Sequence, residues 1–302
     1  MMDVKTPVII VSGYLGAGKT TLLLDIIRYA GESGIRLAIV MNEFGAIPID
    51  GKIIQGKGIE IAELSGGCVC CSLSGEFGEA VKDLRGIAKP EWIVVEMTGA
   101  ADPSALAYDI ANLIEGVRLD SIITIADADS LARFPNLGQT GREQIEVADL
   151  IILNKIDLVD AEKRGEIIGR ITGINPRANI LEAVRCGIDL AMVFSNSASS
   201  GDGARGAKRG PDHEIETQWF GFTSGRRMDH EKALAVFASL PREIYRAKGF
   251  LWTERGRFLM NYVAGRLDLE EFNNDRTELV FIGEKIAGLE AGVSKALLGC
   301  LL

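Results

Sequence analysis

The apolar residues at the start of this chain come mostly in short, nearly continuous runs, with Ile59–Leu64 the one broken by charged residues, Glu60 and Glu63. Pro7–Val11, Leu37–Met41, Ile59–Leu64, Trp92–Val95, Ser121–Ala126 and Leu150–Leu153 are such runs, and helical patterns such as Thr21–Ala30 and Glu76–Ile87 fall between them. A strand that is apolar on both faces must be covered on both, so the order predicts an α/β domain with a mostly parallel sheet and helices on each side. After residue 213 the pattern changes. Glu214–Phe222 alternates, Asp229–Leu240 is helical, and Glu243–Leu251, Phe258–Val263 and Thr277–Ile282 read as strands. That predicts a smaller α+β domain with an antiparallel sheet, for which Trp219, Phe250 and Trp252 are the simplest core. Between the two, Ser195 to Pro211 is mostly Ser, Gly, Ala and basic residues, a composition suited to a connector. The expected organisation is a first domain over 1–195, a flexible linker over 196–213 and a second domain over 214–302.

In parallel sheets ligands bind beyond the carboxyl ends of the strands, so the residues just past each apolar run carry the chemistry. After Val11 comes Gly13-Tyr14-Leu15-Gly16-Ala17-Gly18-Lys19-Thr20, leading through Thr21 into a helix. The spacing G-x-x-x-x-G-K-T between strand and helix lets backbone N–H groups of Gly13, Gly16, Ala17 and Gly18 surround a phosphate. Lys19 would then reach the outer phosphates, and the Thr20 hydroxyl would sit on Mg²⁺. After Leu153 comes Asn154-Lys155-Ile156-Asp157. A carboxylate at Asp157 accepts from guanine N1–H and the 2-amino group, donors that adenine lacks, so this tetrapeptide selects GTP.

After Val95 comes Glu96-Met97-Thr98-Gly99, an acidic residue placed to orient Mg²⁺ or water near the γ-phosphate, with a glycine beyond it whose backbone can approach closely. The second run leads into Asn42-Glu43-Phe44-Gly45 and then Asp50, where a nucleotide-sensing switch would lie. Glu43 and Asp50 are candidate ligands there, for Mg²⁺ or a second metal.

Three of the five cysteines stand together, in Cys68-Val69-Cys70-Cys71, after the turn Ser65-Gly66-Gly67. Thiolates are soft ligands, and such a loop can aim two or three sulfurs at one ion such as zinc, cobalt or copper(I). A disulfide between the vicinal Cys70 and Cys71 would be a strained ring. If Ile59–Leu64 runs parallel to the strand before the glycine loop, thiols and γ-phosphate share one edge of the domain, and nucleotide state can bias the metal site. Cys186 and Cys300 stand apart and read as structural.

Composition narrows the partners. A net charge of -9 over 302 residues argues against nucleic acid, since phosphate backbones are bound by clustered Lys and Arg, and the basic cluster Arg205, Lys208, Arg209 is short. The amino-terminal residues do not form a signal peptide, and no stretch has the ~18 apolar residues of a membrane span. A cytoplasmic setting, which keeps cysteines reduced, is expected.

Taken together these motifs resemble the CobW-type GTPases, relatives of the urease and hydrogenase maturation GTPases. The match extends through Ala101-Asp102-Pro103, Asn175-Pro176-Arg177-Ala178 and, in the second domain, Arg246-Ala247-Lys248-Gly249-Phe250-Leu251-Trp252. The resemblance implies a slow GTPase that binds a thiophilic metal, zinc or cobalt, at Cys68, Cys70 and Cys71 and delivers it to a client metalloprotein or cofactor pathway. It leaves open a nucleotide-dependent homodimer. The rival reading keeps the GTPase as a gatekeeper of a cofactor-dependent enzyme and makes the thiols structural. One departure is plain: many relatives carry a histidine-rich linker, whereas this chain has two histidines, His213 and His230. Each reads as a surface residue.

Overall fold

The computed structural model describes residues 5–41, 58–63, 73–194 and 217–302. They form two compact units that divide between Gly187 and Ile188.

The first unit runs β1 (Thr6–Gly13), α1 (Lys19–Ser33), β2 (Leu37–Met41), β3 (Ile59–Glu63), α2 (Leu73–Ile87), β4 (Trp92–Glu96), α3 (Pro103–Asn112), β5 (Val117–Asp127), α4 (Ala128–Arg133), α5 (Gly138–Glu146), β6 (Leu150–Asn154), α6 (Ala161–Ile174) and β7 (Asn179–Ala183). Its sheet has the order β3-β2-β4-β1-β5-β6-β7, and every pairing is parallel. The runs in β1, β2, β4 and β6 are largely buried on both faces, whereas β3, at the sheet edge, leaves Glu60 exposed and Ile61 and Ala62 half-buried. Val8, Ile10, Val40 and Ile93 pack with Phe77 and Val81 of α2 and with Leu106 and Ile110 of α3. α1 buries Leu22, Leu23, Ile26, Ile27 and Ala30, the spacing of one helical stripe. The expected parallel sheet with helices is therefore the observed one.

Hydrophobic pattern falls short of this unit in two places. β5 starts at Val117, ahead of the apolar run, because Asp120 is fully buried within it and Arg118 reaches its carboxylate at 3.4 Å. A charged pair inside a strand breaks the hydrophobic signal without breaking the ladder. β7 gives no clear signal either, since Glu182 interrupts its apolar positions.

The second unit contains β8 (Thr217–Ser224), α7 (His230–Ala238), β9 (Ile244–Thr253), β10 (Gly256–Val263), β11 (Arg266–Glu271), β12 (Thr277–Glu284) and α8 (Glu290–Leu298). Its sheet is antiparallel in the order β11-β10-β9-β12-β8. Phe220, Ala247, Leu251, Met260 and Phe281 pack against Ala233 and Phe237 of α7 and Val293 and Leu297 of α8. The core is therefore not the expected aromatic set. Strand alternation puts Phe250 and Trp252 on the face opposite Leu251. Phe250 stacks on Phe272 at 4.9 Å and Trp252 lies under the Arg257 guanidinium, while Trp219 is 53% exposed.

The domain boundary also moves from the expected one. Ile188–Phe194 group with the second unit, where the Arg246 guanidinium donates to Val193 O at 2.9 Å and Met192 O at 3.4 Å. The change of composition at Ser195 marks where apolar residues stop, not which core takes them. The linker over 196–213 lies outside the described residues, as does His213.

Candidate functional site

β1 is central in its sheet, with β4 on one side and β5 on the other, so the crevice at its carboxyl end is where a parallel sheet takes its ligand. The glycine loop sits there. Gly18 caps α1 with φ 122 and ψ 15, no side chain caps the helix, and its first turn holds no acid. The orphan N–H groups and the positive end of the helix are thus left for an anion. Gly18 also has no room for a side chain: a Cβ there would stand 2.6 Å from Asn154 Nδ2 and 2.6 Å from Cys186 Sγ. Gly13, Gly16 and Ala17 lie in the same loop, Thr20 is half-buried at the helix start and Thr21 is exposed.

Lys19 is 8% exposed, and its ammonium donates to Gly13 O at 2.8 Å and Tyr14 O at 3.1 Å. Glu96 ends β4 in register with Val11 of β1. Burial holds the Lys19 ammonium below the ordinary lysine value, and Glu96 opposes that shift. Burial likewise raises the Glu96 carboxyl, and Lys19 pulls it back. The turn after β4 closes with Ala101 N–H on Thr98 O at 3.1 Å. It brings Gly99 so near the glycine loop that a Cβ there would be 2.7 Å from Leu15 N.

The base-side tetrapeptide begins at the last residue of β6. Asn154 is buried and donates through Nδ2 to Ala17 O at 2.8 Å, while its Oδ1 accepts from Cys186 N–H at 2.8 Å. Lys155 adopts φ 62 and its ammonium lies 2.6 Å from Asp127 Oδ2. Asp157 comes next on a single 3-10 turn, exposed. Asn154 thus ties the loop that would read a base to the loop that would hold phosphates.

Cys186 belongs to this constellation, although by sequence it reads only as structural. Its thiol donates to Gly18 O at 3.4 Å, and it stands three residues beyond β7, on the ligand edge of the sheet. The residues just past each strand carry the chemistry, and Cys186 is one of them; the weak pattern of β7 conceals it. Burial pushes the thiol up to about 12, with Asp25 adding and Lys155 opposing. At pH 8 its thiolate fraction is on the order of 10⁻⁴, so alkylation by iodoacetamide should be slow in the folded protein and fast in urea. Because the folded state keeps the proton up to about 12 and the unfolded chain only to about 9.0, this thiol's contribution to stability is complete below pH 9 and is lost as pH rises towards 12. Rapid native labelling of Cys186, read by peptide mass mapping, would contradict that burial.

The thiol cluster Cys68, Cys70 and Cys71, with Glu43 and Asp50, lies outside the described residues. Among the described residues, no group of three or more His, Cys, Asp and Glu could hold a metal ion. His230 is half-buried, its Nδ1 3.2 Å from Thr253 Oγ1. No helix among the described residues is long and apolar enough to cross a membrane.

Fold and site together define a phosphate-loop nucleotide-binding domain on a parallel sheet, with a separate antiparallel domain after it. The chain belongs to the CobW/HypB/UreG family: residues 7–182 match that family's nucleotide-binding domain, and residues 217–301 match the cobalamin synthesis protein cobW C-terminal domain. It is 34% identical over 199 residues to the zinc chaperone YjiA of Escherichia coli, covering 63% of this chain and 61% of that protein. It is 27% identical over 306 residues to the zinc-regulated GTPase metalloprotein activator 1 of Dictyostelium discoideum, covering 82% of this chain and 63% of that one. Each of these two matches spans somewhat less than two thirds of the relative. In structure the chain is similar to the Zn(II)-bound YjiA GTPase from E. coli, with a TM-score of 0.50, 25% identity and 99% of both chains covered.

Proposed function

We propose that this protein is a GTP-hydrolysing metallochaperone whose cargo is zinc. The observation that carries the nucleotide half is the Asn154 side chain, which bonds Ala17 O and thereby makes the base-reading and phosphate-holding loops one site. Asp157 accepts from guanine N1–H and the 2-amino group, Lys155 flanks the base, and Gly13, Gly16, Ala17 and Gly18 offer backbone donors to phosphate. In hydrolysis a water oxygen attacks the γ-phosphorus, and the bond to the β–γ bridging oxygen breaks with its electron pair going to GDP. Lys19 stabilises the charge that collects there.

Thr20 and Glu96 present oxygen donors of the kind Mg²⁺ takes, and they fit it electrostatically. Burial raises the Glu96 carboxyl and Lys19 opposes it, and a bound cation would favour the ionised form in the same sense as Lys19. When bound, Mg²⁺ neutralises phosphate charge. Asp50, nine residues beyond Met41 in the sequence, is a further candidate ligand.

The metal half rests on Cys68, Cys70 and Cys71, with Glu43, and on what the relatives' names say they carry. β3 is parallel to its neighbour β2 and stands three strand places from β1, roughly 14 Å at the usual spacing. Cys68 lies five residues beyond Glu63, a reach of about 16 Å when extended, so the thiols can meet the phosphate edge. Zinc and cobalt(II) both accept such sulfur sites. Delivery to a client metalloprotein, in a reducing cytoplasm that keeps the thiols free, completes the reading.

The test is zinc affinity against a chromophoric competitor, in wild type and in a Cys70→Ala, Cys71→Ala variant, with GTP affinity measured alongside and cobalt(II) as the rival ion. Zinc affinity should fall by orders of magnitude while GTP binding stays unchanged. Wild-type zinc affinity in the variant would refute the cargo site and leave a GTP-dependent gatekeeper with structural thiols.

A further inference from the structure

We propose that Gln144 is a positioning residue for the γ-phosphate-sensing turn Thr98–Ala101. The inference rests on the nucleotide reading above and adds to it a residue that touches neither phosphate nor base.

Gln144 lies on α5 and is 2% exposed. Its side-chain amide nitrogen carries two hydrogens, and it donates to two carbonyls, Gly99 O at 3.1 Å and Ala101 O at 3.1 Å. These bracket Ala100 in the turn that Ala101 N–H closes on Thr98 O. The opposite side of the same turn meets the phosphate loop, where a Cβ on Gly99 would stand 2.7 Å from Leu15 N and 3.2 Å from Leu15 Cα. The turn is therefore gripped from behind by one side chain and presents its glycine to the loop in front.

Gln144 is itself held from two directions. Its backbone carbonyl accepts from the buried Thr124 hydroxyl of β5 at 2.8 Å. Three carbonyls further along, Ile145 O, Glu146 O and Ala148 O, all accept from Asn175 Nδ2, at 2.8, 3.1 and 2.9 Å. A planar trans peptide puts its C=O and N–H on opposite sides. With the Gly99 carbonyl turned to Gln144, the Ala100 N–H is turned away from it. Donors fixed before the triphosphate arrives need no reorganisation when charge develops.

A side chain that merely filled the core would affect every ligand alike. A positioning residue for the γ-phosphate turn separates triphosphate from diphosphate. In the full chain, Gln144→Met keeps length and volume but removes both donors. Losing two hydrogen bonds, one to a buried carbonyl and one to a half-buried carbonyl, should weaken a non-hydrolysable GTP analogue by about tenfold or more and lower kcat comparably, with GDP affinity within about twofold of wild type. Equal weakening of both nucleotides, or no change in either, overturns the assignment.

Amide hydrogen exchange on the wild-type protein tests it without a variant. Gly99 and Ala100 N–H should be better protected with the GTP analogue than with GDP, and equal protection counts against the proposal. A wild-type chain that binds no guanine nucleotide sinks the nucleotide reading itself, an outcome distinct from either of these.

Discussion

Lys19→Met should lower the GTP hydrolysis rate by about 10²–10³-fold, the loss typical of removing one preorganised charge-stabilising donor. The methionine keeps the stem of a side chain that is 8% exposed, so packing is preserved and the ammonium alone is lost. That ammonium is held below its ordinary lysine value by burial and steadied by Glu96, so its removal also changes the carboxylate's environment. Glu96 is already raised by burial and opposed by Lys19; without that opposition it should hold its proton to still higher pH. Between its unfolded value near 4.5 and its raised folded value the native state binds the extra proton, so stability falls as pH rises through that window. In the variant the fall should extend further towards neutral pH. Single-turnover hydrolysis and urea unfolding at several pH values measure the two effects. An unchanged hydrolysis rate would remove Lys19 from the chemistry.

Asp157→Asn should exchange the base preferred. Asp157 is exposed and makes no hydrogen bond or ion pair with a described residue, so its lone pairs are available to a base. Its placement comes from Asn154, anchored at Ala17 O, and from the left-handed Lys155 at φ 62 that turns the chain. Guanine offers donors at N1 and at the 2-amino group, whereas xanthine offers N1–H and a carbonyl. An amide in place of the carboxylate can accept the first and donate to the second. GTP should therefore bind about a hundredfold more weakly, and XTP should gain until it matches or exceeds GTP. Folding stability should stay within about 0.5 kcal/mol, as for other exposed substitutions. Competition among GTP, XTP and ATP provides the measurement. If GTP and XTP respond alike, Asp157 does not read the base.

Much of the candidate site was legible because its signals are local. The glycine loop needs a fixed spacing between strand and helix, and Asn154 to Asp157 stand directly at the end of a strand, so sequence neighbours are also site neighbours. What sequence hid depends on contacts between residues far apart in the chain. Gln144 reaches back 45 residues to Gly99, and Cys186 donates to a carbonyl 168 residues away, at Gly18. A buried glutamine on a polar-looking helix and a solitary cysteine carry no periodicity that marks such contacts. The aromatic residues of the second unit were misplaced for a related reason. Period-two alternation states that Phe250 and Trp252 share a face, but only the packing of α7 and α8 decides which face is the core.

Sequence alone determined the parallel sheet and the glycine loop and singled out Asn154–Asp157 as the candidate base-reading segment, because hydrophobic period and glycine spacing act over one strand and its next turn. Tertiary structure decided the strand order that puts Glu96 beside the loop of Lys19, the assignment of Ile188–Phe194 to the second unit, and the grip of Gln144 on Gly99. Those outcomes depend on which distant surfaces bury one another, a choice settled by the free energy of the packed whole and written in no single stretch of chain.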